Sequence, residues 1–183
     1  MKNKRGFTIL EVSMVTVILG VLAAFTIIKY QKTIAANNLE KAANSLYQEL
    51  RGLRPLAFKY DAFAKARFNT TAMQCTVWVD TSDNAIPKKY RRVSIFRLPP
   101  QVKIGTPSTA PSSWKFYAPA ALSNTWKDSL TVEPDSRGEY SHGAVYLYSE
   151  KIPQFVYCIG IATSMQSIEL HKWNGTSWTS VSL

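Results

Sequence analysis

From Phe7 to Ile28 the chain carries a single charged side chain, Glu11, in an otherwise apolar run. A helix of about 22 residues is ~33 Å long, enough to cross the hydrocarbon core of a bilayer. The apolar residues fall on every side of that helix and leave no polar stripe, so it needs an apolar environment all round. A carboxylate inside such a segment is costly unless an opposite charge offsets it, which makes Glu11 a functional candidate.

The residues in front of the run, Met1 to Arg5, are short and basic, and Gly6 closes them. A secretory signal carries its small-residue cleavage site after the apolar stretch. Here the small residue precedes it. A cut after Gly6 removes Lys2, Lys4 and Arg5, keeps the apolar helix, and leaves a free amine on Phe7 four residues from Glu11. The stretch Gly6-Phe7-Thr8-Ile9-Leu10-Glu11-Val12 resembles the type IV pilin and type II secretion pseudopilin family, with Ile and Leu exchanged relative to the commonest order. The resemblance implies processing by a prepilin peptidase that cuts between Gly6 and Phe7 and N-methylates Phe7. It also implies that Glu11 attracts the terminal amine of a neighbouring subunit during filament assembly. In a low-dielectric helix bundle an unpaired carboxylate is strongly disfavoured, so such a pairing reports axial register. The leader charges hold the N-terminus in the cytoplasm by the positive-inside rule, and residues beyond Tyr30 then face the periplasm of a bacterium whose inner membrane the chain crosses once.

Residues 1–6 are thus expected to be a leader, 7–28 a transmembrane and assembly helix, 29–55 its periplasmic half, and 56–183 a β-rich head. In the periplasmic half, Ile34, Leu39, Ala42 or Ala43, Leu46, Leu50 and Leu53 recur every three to five residues and make one apolar face. Gly52 and Pro55 predict a stop nearby. Leu56 to Phe68 reads as a second helix or an extension. After Asn69 the period changes to two, and strands are predicted at 72–79, 92–98, 102–104, 114–117, 144–148, 155–162, 167–173 and 177–181. Asn174-Gly175 is a hairpin turn signal. Short strands with frequent turns predict an α+β, pilin-like fold: a long N-terminal helix, half transmembrane and half amphipathic, packed on an antiparallel sheet or sandwich. That order of elements is most like the minor pseudopilin H and FimT-like minor pilin group.

Cys75 and Cys158 both lie on predicted strands in what would be an oxidising compartment, so they are candidates for a disulfide. Two buried free thiols are the alternative reading. No phosphate loop, nucleophile elbow or zinc-protease motif is present, and no enzyme, cofactor or metal is expected. His142 and His171 stand alone and read as structural. The formal charge is +10, and Lys88, Lys89, Arg91 and Arg92 crowd around Tyr90. A basic cluster beside an aromatic ring suits phosphate contact and base stacking. A solvated hairpin is the plainer reading. The function expected is a minor pilin or pseudopilin subunit of a type II secretion pseudopilus or type IV pilus, whose partners are the prepilin peptidase, other pilins and the inner membrane. The alternative is a DNA-binding minor pilin for DNA uptake.

Overall fold

In a computed structural model of the chain, the residues described are 8–80, 89–105, 129–133, 139–140, 144–161 and 167–181. Thr8 opens the first helix. Its hydroxyl oxygen accepts the Glu11 N–H at 3.2 Å, and its carbonyl accepts Glu11 and Val12 at 3.1 and 3.2 Å. An N-cap of this kind satisfies donors that the first helical turn cannot pair. Helix α1 runs over Ile9–Arg51. Gly52 keeps helical dihedrals and donates to the Gln48 carbonyl at 3.0 Å. Pro55 has no N–H to offer the Arg51 carbonyl and its ring crowds that oxygen, so the ladder breaks there. A second helix, α2, continues over Leu53–Tyr60 and ends at Asp61 in the left-handed region, φ 46° and ψ 45°.

The chain divides into two compact units, Met1–Ile34 and Ala35–Leu183. In the first, every side chain described is exposed from Thr8 to Thr33, and Ile34 is half-buried. The hydroxyls within its apolar run are satisfied internally: Ser13 donates to the Leu10 carbonyl at 2.9 Å, Thr16 to Val12 at 2.8 Å and Thr26 to Leu22 at 2.9 Å. Such back-bonding lets a helix carry hydroxyls without asking its surroundings for partners. The segment is long and apolar enough to cross a membrane.

Among the described residues, the second unit holds ten strands in two antiparallel sheets. The first sheet has the order β3-β2-β1-β5-β6, built from β1 (Ala64–Asn69), β2 (Gln74–Asp80), β3 (Tyr90–Arg97), β5 (Ser129–Glu133) and β6 (Glu139–Tyr140). The second has the order β10-β9-β8-β7-β4, from β4 (Lys103–Ile104), β7 (Ala144–Tyr148), β8 (Val156–Ile161), β9 (Ile168–Trp173) and β10 (Trp178–Ser180). The fold is α+β, as expected. Most of the predicted strands recur with shifted ends, while 114–117 lies outside the described residues.

Two expectations are corrected, and two strands were not foreseen. Leu56 to Phe68 is not one helix: α2 stops at Tyr60, and Ala64–Asn69 is a strand at the centre of the first sheet. Its Ala and Lys are good helix formers, but Ala64, Ala66 and Phe68 are buried while Lys65, Arg67 and Asn69 point away, a period of two that packing enforces. The strand predicted at 72–79 starts later, at Gln74: Met73 takes φ 47° in the turn that joins β1 to β2, and its side chain still packs against the main core cluster. Strands β5 and β6 carry no signal that the alternation alone exposed.

One core cluster joins all the layers of this unit. It takes Ala35, Leu39, Ala43, Leu46 and Leu50 from α1, Ala64, Ala66, Phe68, Cys75, Val77 and Val79 from the first sheet, and Val145, Leu147, Tyr157, Ile159, Ile168 and Leu170 from the second. Buried helix positions at 35, 39, 42, 43, 46, 50 and 53 form a single stripe. Glu40 and Glu49 sit at its margins and reach different sheets. Lys172 of β9 pairs with Glu40 at 3.8 Å, and Ser94 of β3 donates to Glu49. A smaller cluster of Ala144, Tyr146, Val156, Cys158 and Trp173 lies apart from the main one. The predicted turn is present: Gly175 takes φ +100°, and the Asn174 side-chain oxygen accepts the N–H groups of Thr176 and Ser177, each at 2.9 Å.

Candidate functional site

Two regions carry the sequence-derived candidates. The first is the start of α1. Gly6 and Phe7 lie outside the described residues, but the helix begins just beyond them, capped by Thr8. Thr8 and Glu11 have the spacing of a capping box, and Glu11 is the acidic residue of the first turn. The positive end of the helix dipole favours a carboxylate there. Glu11 is exposed, and among the described residues no cation pairs with it. Ile9, Leu10 and Val12 around it are exposed as well, at 91%, 77% and 55%. A negative group presented on a wholly apolar, uncovered helix surface can pair with a cation from another chain.

The second region is the basic stretch before and within β3. Lys88 lies outside the described residues. Lys89, Arg91 and Arg92 are exposed at the start of β3, which is an edge strand. They do not stand together on one face. Arg91 is opposite Val79 and Arg92 is opposite Trp78, and the register shifts between Val77 and Trp78, leaving Val93 as an extra residue. This β-bulge turns Arg92 to the outer face of the sheet while Ser94 faces the helix side and meets Glu49. Lys65 and Arg67, upstream of this run, were not among the sequence-derived candidates. The structure puts them on the outer face of β1, with Lys65 opposite Trp78 and Arg67 opposite Thr76. Lys65, Arg67, Trp78 and Tyr90 line a cavity of about 250 Å³. The signal that could have found them is the strict alternation of Ala64-Lys65-Ala66-Arg67-Phe68-Asn69.

Cys75 and Cys158 are not bridged; both are buried free thiols. This is the other of the two readings open in the sequence, and its cause is geometric. Cys75 points into the main cluster with Val77 and Val79. Cys158 falls on the opposite side of β8 from Tyr157 and Ile159 and belongs to the smaller cluster. Burial, helped by nearby Glu49, pushes the Cys75 thiol up to about 12, and burial pushes Cys158 up as well, against a hydrogen bond with Tyr146. Thiols held neutral in this way are poor nucleophiles. His171 is buried, with Nε2 at 3.0 Å from Oε2 of Glu169, two residues before it on β9. His142 lies outside the described residues.

Residues 1–27 match the family model for the prokaryotic N-terminal methylation motif. No curated protein matches the sequence. Among solved structures, the minor pseudopilin EpsH from the type 2 secretion system of Vibrio cholerae is similar in fold at 16% identity and a TM-score of 0.50, covering 73% of this chain and 95% of that one. A second structure of the same Vibrio cholerae protein aligns at 15% identity and a TM-score of 0.47, over 73% of this chain and 93% of that one. The chain therefore carries the prokaryotic N-terminal methylation motif and shares the α+β fold of that minor pseudopilin.

Proposed function

We propose that this protein is a minor filament subunit, cut between Gly6 and Phe7 by a prepilin peptidase, N-methylated on Phe7, and assembled into a type II secretion pseudopilus or a type IV pilus. Before assembly the apolar half of α1 anchors it in the bacterial inner membrane, with the basic leader in the cytoplasm and the remainder in the periplasm. The observation that carries this reading is the methylation motif set in front of an uncovered apolar helix whose first turn presents Glu11. Removing one partner of a buried ion pair costs about 3–5 kcal/mol, since the other charge stays behind unpaired. Glu11→Ala is therefore expected to be cleaved normally and to be missing from sheared filaments, whereas Gly6→Leu keeps its leader. Mass spectrometry of the N-terminus and immunoblots of the sheared fraction read the two effects. Normal incorporation of Glu11→Ala, or an unmethylated, uncut wild-type chain, overturns the reading.

A second reading, a filament subunit that binds DNA for uptake, is favoured by one observation: the exposed cations at the start of edge strand β3 continue onto the outer face of the first sheet. The binding experiment below tests it.

A further inference from the structure

We infer that the outer face of the first sheet is a binding site for single-stranded nucleic acid, built from Lys65, Arg67, Trp78, Tyr90 and Arg92. The inference rests on the second reading above, that the periplasmic part meets nucleic acid, and assigns it a ligand class and a site that takes only Tyr90 and Arg92 from the Lys88–Arg92 run and adds Lys65, Arg67 and Trp78.

Three features of the face converge. The first is a charge row. Lys65 and Arg92 lie opposite Trp78 from its two sides, so a cation flanks the indole on each neighbouring strand. Adjacent strands are about 4.8 Å apart, and Lys65 and Arg67, two residues apart on one face, are about 6.8 Å apart along β1. Among the described residues no carboxylate pairs with Lys65, Arg67 or Arg92, so their charge is open to an outside anion. The second feature is ring surface. Tyr90 is 45% exposed and Trp78 is half-buried, and both line the cavity of about 250 Å³ beside the cations. The third is continuity. A second, larger depression of about 450 Å³ shares Arg67 and Trp78 with that cavity and extends past Thr76 and Gln74 to Asn69. Together they make a track along β1 and β2 instead of an isolated pocket.

The chemistry that fits this track is a repeating unit of anion and flat ring. Phosphates meet the lysine and arginines, and unstacked bases lie on the aromatic faces, a contact every base can make. In a duplex the base faces are already stacked and cannot reach a half-buried indole. An anionic glycan would use the cations without needing the rings.

The test uses the full-length chain in nonionic detergent micelles and a fluorescein-labelled oligothymidylate, followed by anisotropy across a salt series. Binding is expected at low salt, with log K falling by about 0.7 per phosphate contact for each unit of log salt. The double variant Lys65→Gln/Arg67→Gln is expected to flatten that slope by about 1.4. Tyr90→Ser is expected to weaken binding about tenfold with the slope unchanged, because stacking is not a counterion effect. These side chains are exposed or half-exposed, and unchanged circular dichroism confirms that each variant is folded. If duplex DNA or heparin binds as tightly and Tyr90→Ser has no effect, the face is a general anion surface and the proposal fails. If Lys89→Gln/Arg91→Gln abolishes binding while Lys65→Gln/Arg67→Gln does not, this site is refuted and the second reading stands. No binding at low salt removes both.

Discussion

Helix α1 contains two regions that share a backbone geometry and little else. From Ile9 to Thr33 the side chains described are all exposed; from Ala35 to Arg51 a stripe of Ala and Leu is buried without remainder. Both are helical for the same local reason, a run of residues without Gly clusters or interior Pro. They differ in what removes the apolar surface from water. In the second region the two sheets do it, and Leu39, Leu46 and Leu50 are at 0% exposure. In the first nothing within the described chain does, although that region is the more apolar one. A helix that is apolar all round belongs in lipid or among like helices, whereas a helix with one apolar stripe belongs on a sheet. Secondary structure alone therefore says little about which half stabilises the fold.

The sharpest way to break this comparison is a matched pair of truncations. Leu46→Ala is expected to destabilise the protein by about 3 kcal/mol, as a buried leucine replaced by a cavity does. Leu19→Ala should stay within about 0.5 kcal/mol, as an uncovered position does. Urea unfolding of the full chain in detergent reads both through tryptophan fluorescence, since all five tryptophans follow Ile34. Equal costs would mean that the first region is packed against the rest.

A smaller effect comes from the buried acids. Cys75 is raised from its ordinary 9.0 to about 12, first by burial and then by Glu49, and Cys158, Tyr146 and Tyr157 are raised too, each mainly by burial. For acids raised in the folded state, the unfolded chain ionises first. Their stabilisation is full below about pH 9 and is lost as pH climbs toward the folded values. The urea midpoint is therefore expected to fall between about pH 8 and pH 10.5. Cys75→Ser, lacking one of these groups, should show a shallower fall. A thiol reagent at about pH 8 should react with neither cysteine until urea unfolds the chain.

The smallest expected change is at the last hairpin. Gly175 holds φ +100°, where an L side chain is strained. Gly175→Ala should cost about 1–2 kcal/mol, seen as a fall in Tm of several degrees. An unchanged Tm would mean that the turn relaxes without loss to the strands.

The amphipathic stripe was legible at nearly every position, because a repeat of three to four apolar residues has one helical solution. Ala144–Tyr148 was legible for a different reason, as a short continuous run of apolar and aromatic residues, and its first four positions are buried. Ala64–Asn69 was not, since its residues favour a helix locally and only pairing with β2 and β5 on both sides makes it a strand. The basic site divides in the same way. Composition announced cations near Tyr90, but the register and the bulge at Val93 selected Lys65, Arg67 and Arg92 to share a face with Trp78.

What the amino-acid order determined by itself is the local: an apolar span with one carboxylate at its start, a leader ending in Gly6, a striped helix, and turns at Gly and Asn. Each follows from the solvation or dihedral preference of neighbours in the chain. Tertiary structure alone decided what depends on partners distant in sequence. It put Cys75 and Cys158 in separate clusters, sent Glu40 and Glu49 to different sheets, and assembled cations and rings from three strands on one surface. Pairing register and packing are set by contacts between elements, and no short window of sequence contains them.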